Sequence, residues 1–130
     1  MRRTGLTALA VILLIEAIAV LGVSGCRGAA DSAAQVAGGD PEHGKGAIQK
    51  YGCAACHVIP GIPGANGQVG PSLEGIGGRV YLAGQLQNTP DNLRKWVEDP
   101  QGIRPGTAMP DMGVTDEDAR DITAYLYTLR

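Results

Sequence analysis

Cys53-Ala54-Ala55-Cys56-His57 forms a CxxCH motif in the first half of this 130-residue chain. In a helical turn, the residues at positions 53, 56 and 57 share one face. Two thiols on that face can bond to the two vinyl groups of a haem while the adjacent imidazole reaches the iron. The motif therefore predicts one covalently attached haem c, with thioethers at Cys53 and Cys56 and with His57 as an axial iron ligand.

Two other chemistries also use a CxxC pair, namely a redox dithiol and a zinc site. A thioredoxin-like dithiol belongs in a βαβ unit, and the surrounding sequence does not have that pattern. A zinc site needs further ligands, yet outside the motif the chain contains only Cys26 and His43 as Cys or His. The sequence favours haem attachment over both.

The aromatic content is low for a small domain, with no Phe, one Trp and four Tyr. So few large side chains fill a core poorly in a chain of this length. A haem is a large, flat and mostly apolar body, and binding it only in the folded state stabilises that state. The composition is consistent with a core completed by the cofactor.

The N-terminus has the pattern of a secretory signal. Arg2 and Arg3 precede an apolar run over residues 6–23, and small residues follow. A positively charged start, a short apolar stretch and a small-residue cleavage site are typical of exported proteins. We expect residues 1–25 to be a leader and the mature protein to lie outside the cytoplasm.

The leader ends in Val23-Ser24-Gly25-Cys26, which is similar to a bacterial lipobox. In that motif the chain is cut before the cysteine, which then carries lipid, so Cys26 is the predicted lipid anchor. An uncleaved helix is the main alternative, since about 18 apolar residues nearly span a bilayer, and clean release is another. Lipidation or a retained helix would hold the protein at the extracytoplasmic face of a bacterial membrane, as in the periplasm.

The mature chain divides into a tether and one domain. Residues 26–39 have few large apolar side chains and no periodicity, which predicts a lipidated Cys followed by a flexible segment. Residues 40–130 have the length of a single domain, with no internal repeat.

Helix start signals occur at three places. They are Asp40 before Pro41, Thr89 before Pro90, and Thr115 before Asp116, Glu117 and Asp118. We expect the first helix to run to Tyr51 and the second to stop at Pro100.

The last helix has the clearest apolar stripe, formed by Ile122, Tyr125, Leu126 and Leu129. A short helical segment is predicted over residues 72–76. Because no alternating strand pattern competes, the predicted fold is all-α, with three main helices and a short one packed around the haem.

The second axial ligand has three candidates, Met109, Met112 and His43. His43 lies on the outer part of the first predicted helix, which favours a surface role. Met109 lies in a loop bounded by Pro105 and Pro110, where a thioether can be held against a flat ring. A Met is usually a flexible core residue, and Met112 remains the main competitor.

Two further segments carry patterns that are typical of one protein family. Residues 70–79 read GPSLEGIGGR and residues 93–109 read LRKWVEDPQGIRPGTAM. Together with CxxCH, they resemble the class I cytochrome c family, and the similarity extends over residues 40–130. The resemblance implies the class I cytochrome c fold and Met109 as the sixth iron ligand, with Met112 left as a packing residue.

The resemblance also implies roles for individual residues. The Pro71 carbonyl would accept a hydrogen bond from His57, Leu73 would pack on the haem face, Arg79 would lie near a propionate, and Trp96 would border the Met109 side. Gly44 and Tyr125 resemble the family's close crossing of the terminal helices. The spacing from Gly44 to Cys53 is one residue longer than the common pattern, and Gly52 is placed to absorb the extra residue.

His/Met ligation implies one-electron transfer, because six-coordinate iron changes its oxidation state with little movement and the thioether raises the reduction potential. No residue set suggests a nucleophile, a general base or a substrate pocket, so the protein is not expected to be an enzyme. The expected partners are a respiratory donor and an acceptor such as a terminal oxidase.

The chain has a formal charge of −2, which becomes −3 when Arg2, Arg3 and Glu16 leave with the leader. A mildly acidic domain is not expected to bind nucleic acid. Two other functions fit the same domain, a fixed haem subunit of a larger oxidase or dehydrogenase and a ligand-binding or peroxidatic haem protein.

Overall fold

A computed structural model describes Val36 and residues 38–130. In that part of the chain the helices are α1 (Pro41–Lys50), α2 (Pro90–Glu98), α3 (Pro100–Ile103) and α4 (Asp116–Thr128). Short 3₁₀ helices span Cys53–Ala55 and Ile76–Gly78, and strands β1 (Tyr81–Leu82) and β2 (Leu86–Gln87) form an antiparallel hairpin. The predicted all-α class is confirmed. The predicted leader, Cys26 and most of the tether lie outside the described residues.

The three predicted N-caps are confirmed. The Asp40 side chain accepts hydrogen bonds from the backbone N–H groups of Glu42 and His43, at 2.8 and 3.2 Å. The hydroxyls of Thr89 and Thr115 accept from the backbone N–H three residues later, each at 3.2 Å. Each cap satisfies N–H groups that a helix start leaves without partners.

Three local expectations differ from the structure. α2 ends at Glu98, and Pro100 opens α3 instead of only stopping α2, because proline fits the first position of a helix. Within residues 72–76 only Glu74 and Gly75 form a turn, and the 3₁₀ helix begins at Ile76. The β-hairpin was not expected, because strands of two residues are too short to show an alternating pattern.

Helix α4 is the centre of the core and packs against both α1 and α2. Ile122, Tyr125 and Leu126 of the predicted stripe are buried, with relative exposures of 2–4%. The helix is also buried outside that stripe, where Thr123, Ala124 and Tyr127 lose nearly all their exposure. The single apolar stripe therefore underestimates how much of α4 is buried, because the helix is covered on more than one side.

The chain before α1 also contributes to the core. Val36 is 5% exposed, and its carbonyl accepts a hydrogen bond from the Gly39 N–H at 3.1 Å. The packed structure thus includes a residue four positions before the predicted domain start. Within the described residues, no helix is long and apolar enough to cross a membrane.

α1 and α4 touch backbone to backbone at Gly44. A Cβ on Gly44 would lie 2.6 Å from the carbonyl carbon of Asp121 and would overlap its oxygen. The predicted close crossing is present, and the atoms nearest to a Cβ on Gly44 belong to the backbone of Asp121 and Ile122. Only a residue without a side chain permits this approach.

Charged side chains tie the same two helices together. The Asp118 carboxylate accepts from Lys50 Nζ at 2.8 Å and from the Tyr51 hydroxyl at 2.7 Å. These hydrogen bonds, chiefly the one from Lys50, lower the pKa of Asp118 to about 2. His43 Nδ1 lies 2.6 Å from Asp121 Oδ2, and this hydrogen bond raises the pKa of His43.

We predict opposite effects for alanine at two positions of α1. Gly44→Ala places a methyl group against the Asp121 backbone and should lower the free energy of unfolding by about 1–3 kcal/mol. Gly46→Ala is the matched control, because no atom lies within 4 Å of its new Cβ. It should raise stability by roughly 0.5–1 kcal/mol through helix propensity. Guanidinium unfolding of both holoproteins measures the difference, and equal effects would contradict the packing argument.

We also predict two pH windows for stability. The Asp118 pKa lies below its unfolded value, so its contribution is present above about pH 4 and declines as the pH falls toward about 2. The His43 pKa lies above its unfolded value, so its contribution is present below about pH 6.5 and is lost as the pH rises through the folded pKa.

Unfolding measurements across pH test each window separately. Asp118→Asn should flatten the acid decline, and His43→Gln should flatten the decline above about pH 6.5. Glu117→Gln, an exposed carboxylate in the same first turn, is the control and should follow the wild type. Profiles of Asp118→Asn and His43→Gln that match the wild type would show that these hydrogen bonds do not couple folding to protons.

Candidate haem site

A cavity of about 500 Å³ lies between the helices and the loops that connect them. Its inner wall is apolar and includes Ile48 of α1, Leu93 of α2, and Ile122 and Leu126 of α4. Every predicted site residue within the described chain also lines it: Cys53, Cys56, His57, Pro71, Leu73, Arg79, Trp96 and Met109. Residues spread over half of the sequence therefore meet at one site.

The two cysteines lie on a tight turn that leaves α1. Gly52, at φ 69°, turns the chain, and Cys53 then opens a 3₁₀ helix. The backbone N–H groups of Cys56 and His57 both donate to the Cys53 carbonyl, at 3.2 and 3.1 Å. This turn presents both sulfurs and the imidazole to the same cavity.

The alternative chemistries of the motif find no support in the structure. Burial raises the pKa of the Cys53 thiol, whereas reactive dithiols need a lowered pKa. Over residues 38–130 and Val36, no three His, Cys, Asp or Glu side chains are grouped to hold a metal ion such as zinc. A buried sulfur suits an uncharged thioether better than a thiolate.

The His57 ring is fixed by a hydrogen bond at Nδ1, and Nε2 lies on the opposite side of the ring. Its Nδ1 lies 2.7 Å from the Pro71 carbonyl oxygen, which is the hydrogen bond that the resemblance predicts. A carbonyl can only accept, so Nδ1 carries a proton and Nε2 is the ring nitrogen left to bind a metal. The ring is also packed against Gly70, where a Cβ would lie 2.6 Å from Nδ1.

The glycine-rich loop that follows the motif is tied to it by backbone contacts. The Gly70 N–H donates to the Cys56 carbonyl at 2.8 Å, and a Cβ on Gly67 would lie 2.6 Å from the Cys56 carbonyl carbon. At the other end of the loop, the Tyr125 hydroxyl donates to the Pro60 carbonyl at 2.6 Å. These contacts, together with the buried Ile59 and Ile62, order the segment.

The loop carrying Met109 is held by a residue that the sequence analysis did not identify. The Gln101 side-chain amide donates to the carbonyls of Thr107 and Met109, at 2.9 and 2.7 Å, and its oxygen accepts from the Gly106 N–H at 3.1 Å. Met112 lines the same cavity and is 42% exposed. No sequence pattern marks Gln101, because its partners are backbone groups of a folded loop.

The predicted site residue Arg79 lies at the cavity, whereas the ligand candidate His43 does not. Arg79 lines the cavity, and its Nη2 donates to the carbonyls of Ser72 and Glu74, at 2.7 and 2.8 Å. His43 does not line the cavity; it bonds Asp121 at the helix junction. Its predicted surface position is confirmed, since 57% of its side chain is exposed.

These residues fit a covalent haem. The cavity volume is in the range of cofactor pockets, and its inner wall is apolar. Two sulfurs and one imidazole with a free Nε2 are presented together by a single turn. Haem c is the cofactor that this donor set and this motif match.

Comparisons with known proteins agree with the site. The family model described as cytochrome c matches residues 41–130. Cytochrome c2 of Rhodopila globiformis is 41% identical over 105 residues, covering 71% of this chain and 95% of the relative. Cytochrome c-550 of Nitrobacter winogradskyi is 32% identical over 101 residues, covering 68% of this chain and 89% of the relative.

A second kind of relative is much longer. Cytochrome c oxidase subunit 2 of Alkalihalophilus pseudofirmus is 33% identical over 88 residues, which are 67% of this chain but 25% of that protein. The chain thus spans about a quarter of the length of the oxidase subunit that it matches.

Members of the matched family are electron carriers without turnover chemistry of their own, and their bacterial forms are typically exported. The predicted family and cofactor are confirmed by the match over residues 41–130 and by the cytochrome c2 relative. The chain belongs to the cytochrome c family and is a class I c-type cytochrome that binds one covalent haem c.

Proposed function

We propose that this protein transfers single electrons through a haem c ligated by His57 and Met109, between a respiratory donor and an acceptor such as a terminal oxidase. The observation that carries the proposal is the common cavity lined by Cys53, Cys56, His57 and Met109. Haem c supplies reversible exchange between ferric and ferrous iron when bound.

His57 contributes a fixed and basic ligand nitrogen. The Pro71 carbonyl holds the Nδ1 proton at 2.7 Å, so the ring cannot turn or change tautomer without losing this hydrogen bond. Such a partner raises the basicity of the nitrogen that faces the metal. Gly70 adds a steric limit, because its missing side chain leaves room for the ring in one position.

Met109 contributes a thioether on a loop that Gln101 stabilises. A thioether favours ferrous iron and raises the reduction potential relative to a second imidazole. The apolar wall of the cavity has the same effect, because burial disfavours the additional positive charge of the oxidised form. Met112 is the competing sulfur ligand. Gln101 donates to the carbonyls of Thr107 and Met109 but not to that of Met112.

The oxidase relatives bear on the identity of the electron acceptor. A segment similar to this chain occurs within proteins named cytochrome c oxidase subunit 2, which supports an oxidase as the acceptor. We infer that this chain meets an oxidase as a separate, tethered carrier. A fixed subunit of a larger oxidase or dehydrogenase is the second candidate, favoured by the same relatives.

We also propose that residues 1–25 are a signal, that Cys26 is lipidated and that the segment up to residue 39 links the anchor to the domain. A retained N-terminal helix would have the same effect on location. The support is the charged start, the apolar run and the VSGC motif of the sequence. Val36, near the end of this segment, packs in the core.

Replacement of each methionine tests the axial ligand. Met109→Leu should abolish the near-infrared charge-transfer band between the thioether and ferric iron and should lower the reduction potential, since leucine has no donor atom. Met112→Leu is the matched control at the same cavity and should keep both properties. Loss of the band in Met112→Leu with retention in Met109→Leu would reverse the assignment.

Replacement of the leader tests the anchor and the tethered-carrier model together. Exchange of residues 1–26 for the cleavable leader of a protein that is exported without lipid should move the holoprotein from the membrane to the soluble fraction, as read from haem absorbance, with an unchanged visible spectrum. Its oxidation by oxidase-containing membranes should slow, because tethering raises the effective concentration of the partner. Mass spectrometry of the wild-type N-terminus should find a lipidated Cys26. An unmodified or absent Cys26 contradicts the lipid anchor, and detergent extraction only as a stable complex favours the fixed subunit.

A further inference from the structure

The cavity has a second arginine for which the sequence analysis assigns no role. Among the described residues that line the cavity, Arg79 and Arg104 are the ones with a permanent charge, and the lining contains no Asp, Glu or Lys. The resemblance accounts for Arg79. Arg104 lies in the loop between α3 and Met109, five residues before the proposed ligand.

Arg104 connects two segments at the cavity. Its Nη1 donates to the Ala83 carbonyl at 3.1 Å, in the turn between β1 and β2. Ala83 has a φ of 48°, a left-handed conformation that no other non-glycine residue adopts in the described chain. Ala83 and Gly84 both line the cavity. The guanidinium thus joins the hairpin turn to the Met109 loop at the cavity surface.

The guanidinium has unused hydrogen-bonding capacity. It has five N–H donors, and within the described chain it donates to the Ala83 carbonyl. In the described part of the chain, neither Arg104 nor Arg79 lies within 4.0 Å of a carboxylate. A carbonyl oxygen does not neutralise a cation, so the cavity has an excess of positive charge. Arginine has the planar donor geometry that matches a carboxylate.

Haem has two carboxylates, and the cavity has two arginines without carboxylate partners. We propose that Arg104 binds a haem carboxylate and raises the reduction potential of the iron. The physical reason is electrostatic, because a nearby cation disfavours the oxidised form, which has one more positive charge than the reduced form. The proposal rests on the haem site described above and adds a residue that sets its potential.

Three variants of the full holoprotein test the proposal by redox titration. Arg104→Gln removes the charge but keeps an amide N–H for the Ala83 carbonyl. It should lower the potential by about 59 mV, which is a tenfold change in a one-electron equilibrium. Arg104→Lys keeps the charge, so its potential should stay close to that of the wild type. Lys95→Gln removes an exposed charge from α2 outside the cavity and is the control, with a smaller shift.

The pattern of shifts decides the outcome. A larger shift in Arg104→Gln than in Lys95→Gln, restored in Arg104→Lys, supports the role of the charge. Equal shifts in Arg104→Gln and Arg104→Lys mean that Arg104 acts only as a structural link, and a shift no larger than the control means that it has no special role. Both results overturn the proposal.

A measurement on the wild type applies even if a variant does not accumulate as holoprotein. Proton NMR of the ferrous form should show contacts between the Arg104 guanidinium and the propionate protons of the haem, and their absence overturns the proposal. Failure here is distinguishable from failure of the proposed function. In the first case the Met109 charge-transfer band remains in wild type and variants, and in the second it is absent from the wild type.

Discussion

The contact between α1 and α4 at Gly44 sets the arrangement of the other elements. Because the two helices meet backbone to backbone, Ile48 of α1 and Ile122 of α4 both reach the cavity and form part of its inner wall. α1 ends at Lys50, and the turn with the two cysteines follows at once. The position of the haem-binding turn is therefore determined by how closely the terminal helices approach each other.

The loops around the cavity bury Ile59 and Ile62 and are also ordered by close contacts with backbone. Gly67 and Gly70 let the loop lie directly on the cysteine turn and on the His57 ring. Gln101 has a similar effect on the opposite segment, where three hydrogen bonds fix the Met109 loop. A side chain at Gly67 or Gly70 is not tolerated, because the first is limited by the neighbouring main chain and the second by the His57 ring.

Charge is distributed unevenly between the helix junction and the cavity. The buried carboxylates Asp118 and Asp121 lie at the junction, where Lys50 and His43 provide partners. No Asp or Glu of the described chain lines the cavity, so the charge of its arginines is not compensated there. This separation suits a site that receives a cofactor with two carboxylates and whose iron changes its charge by one unit.

The fold class, the three N-caps and the covalent haem motif could all be read from the chain, because each depends on residues only a few positions apart. Cys53, Cys56 and His57 form such a local unit, and the segment ending at Met109 is specific enough to identify the family. Only the tertiary structure shows the burial of α4 on more than one side, the β-hairpin, and the backbone contacts of Gln101 and Arg104. Those features depend on contacts between distant segments, or with backbone atoms whose positions no local pattern records.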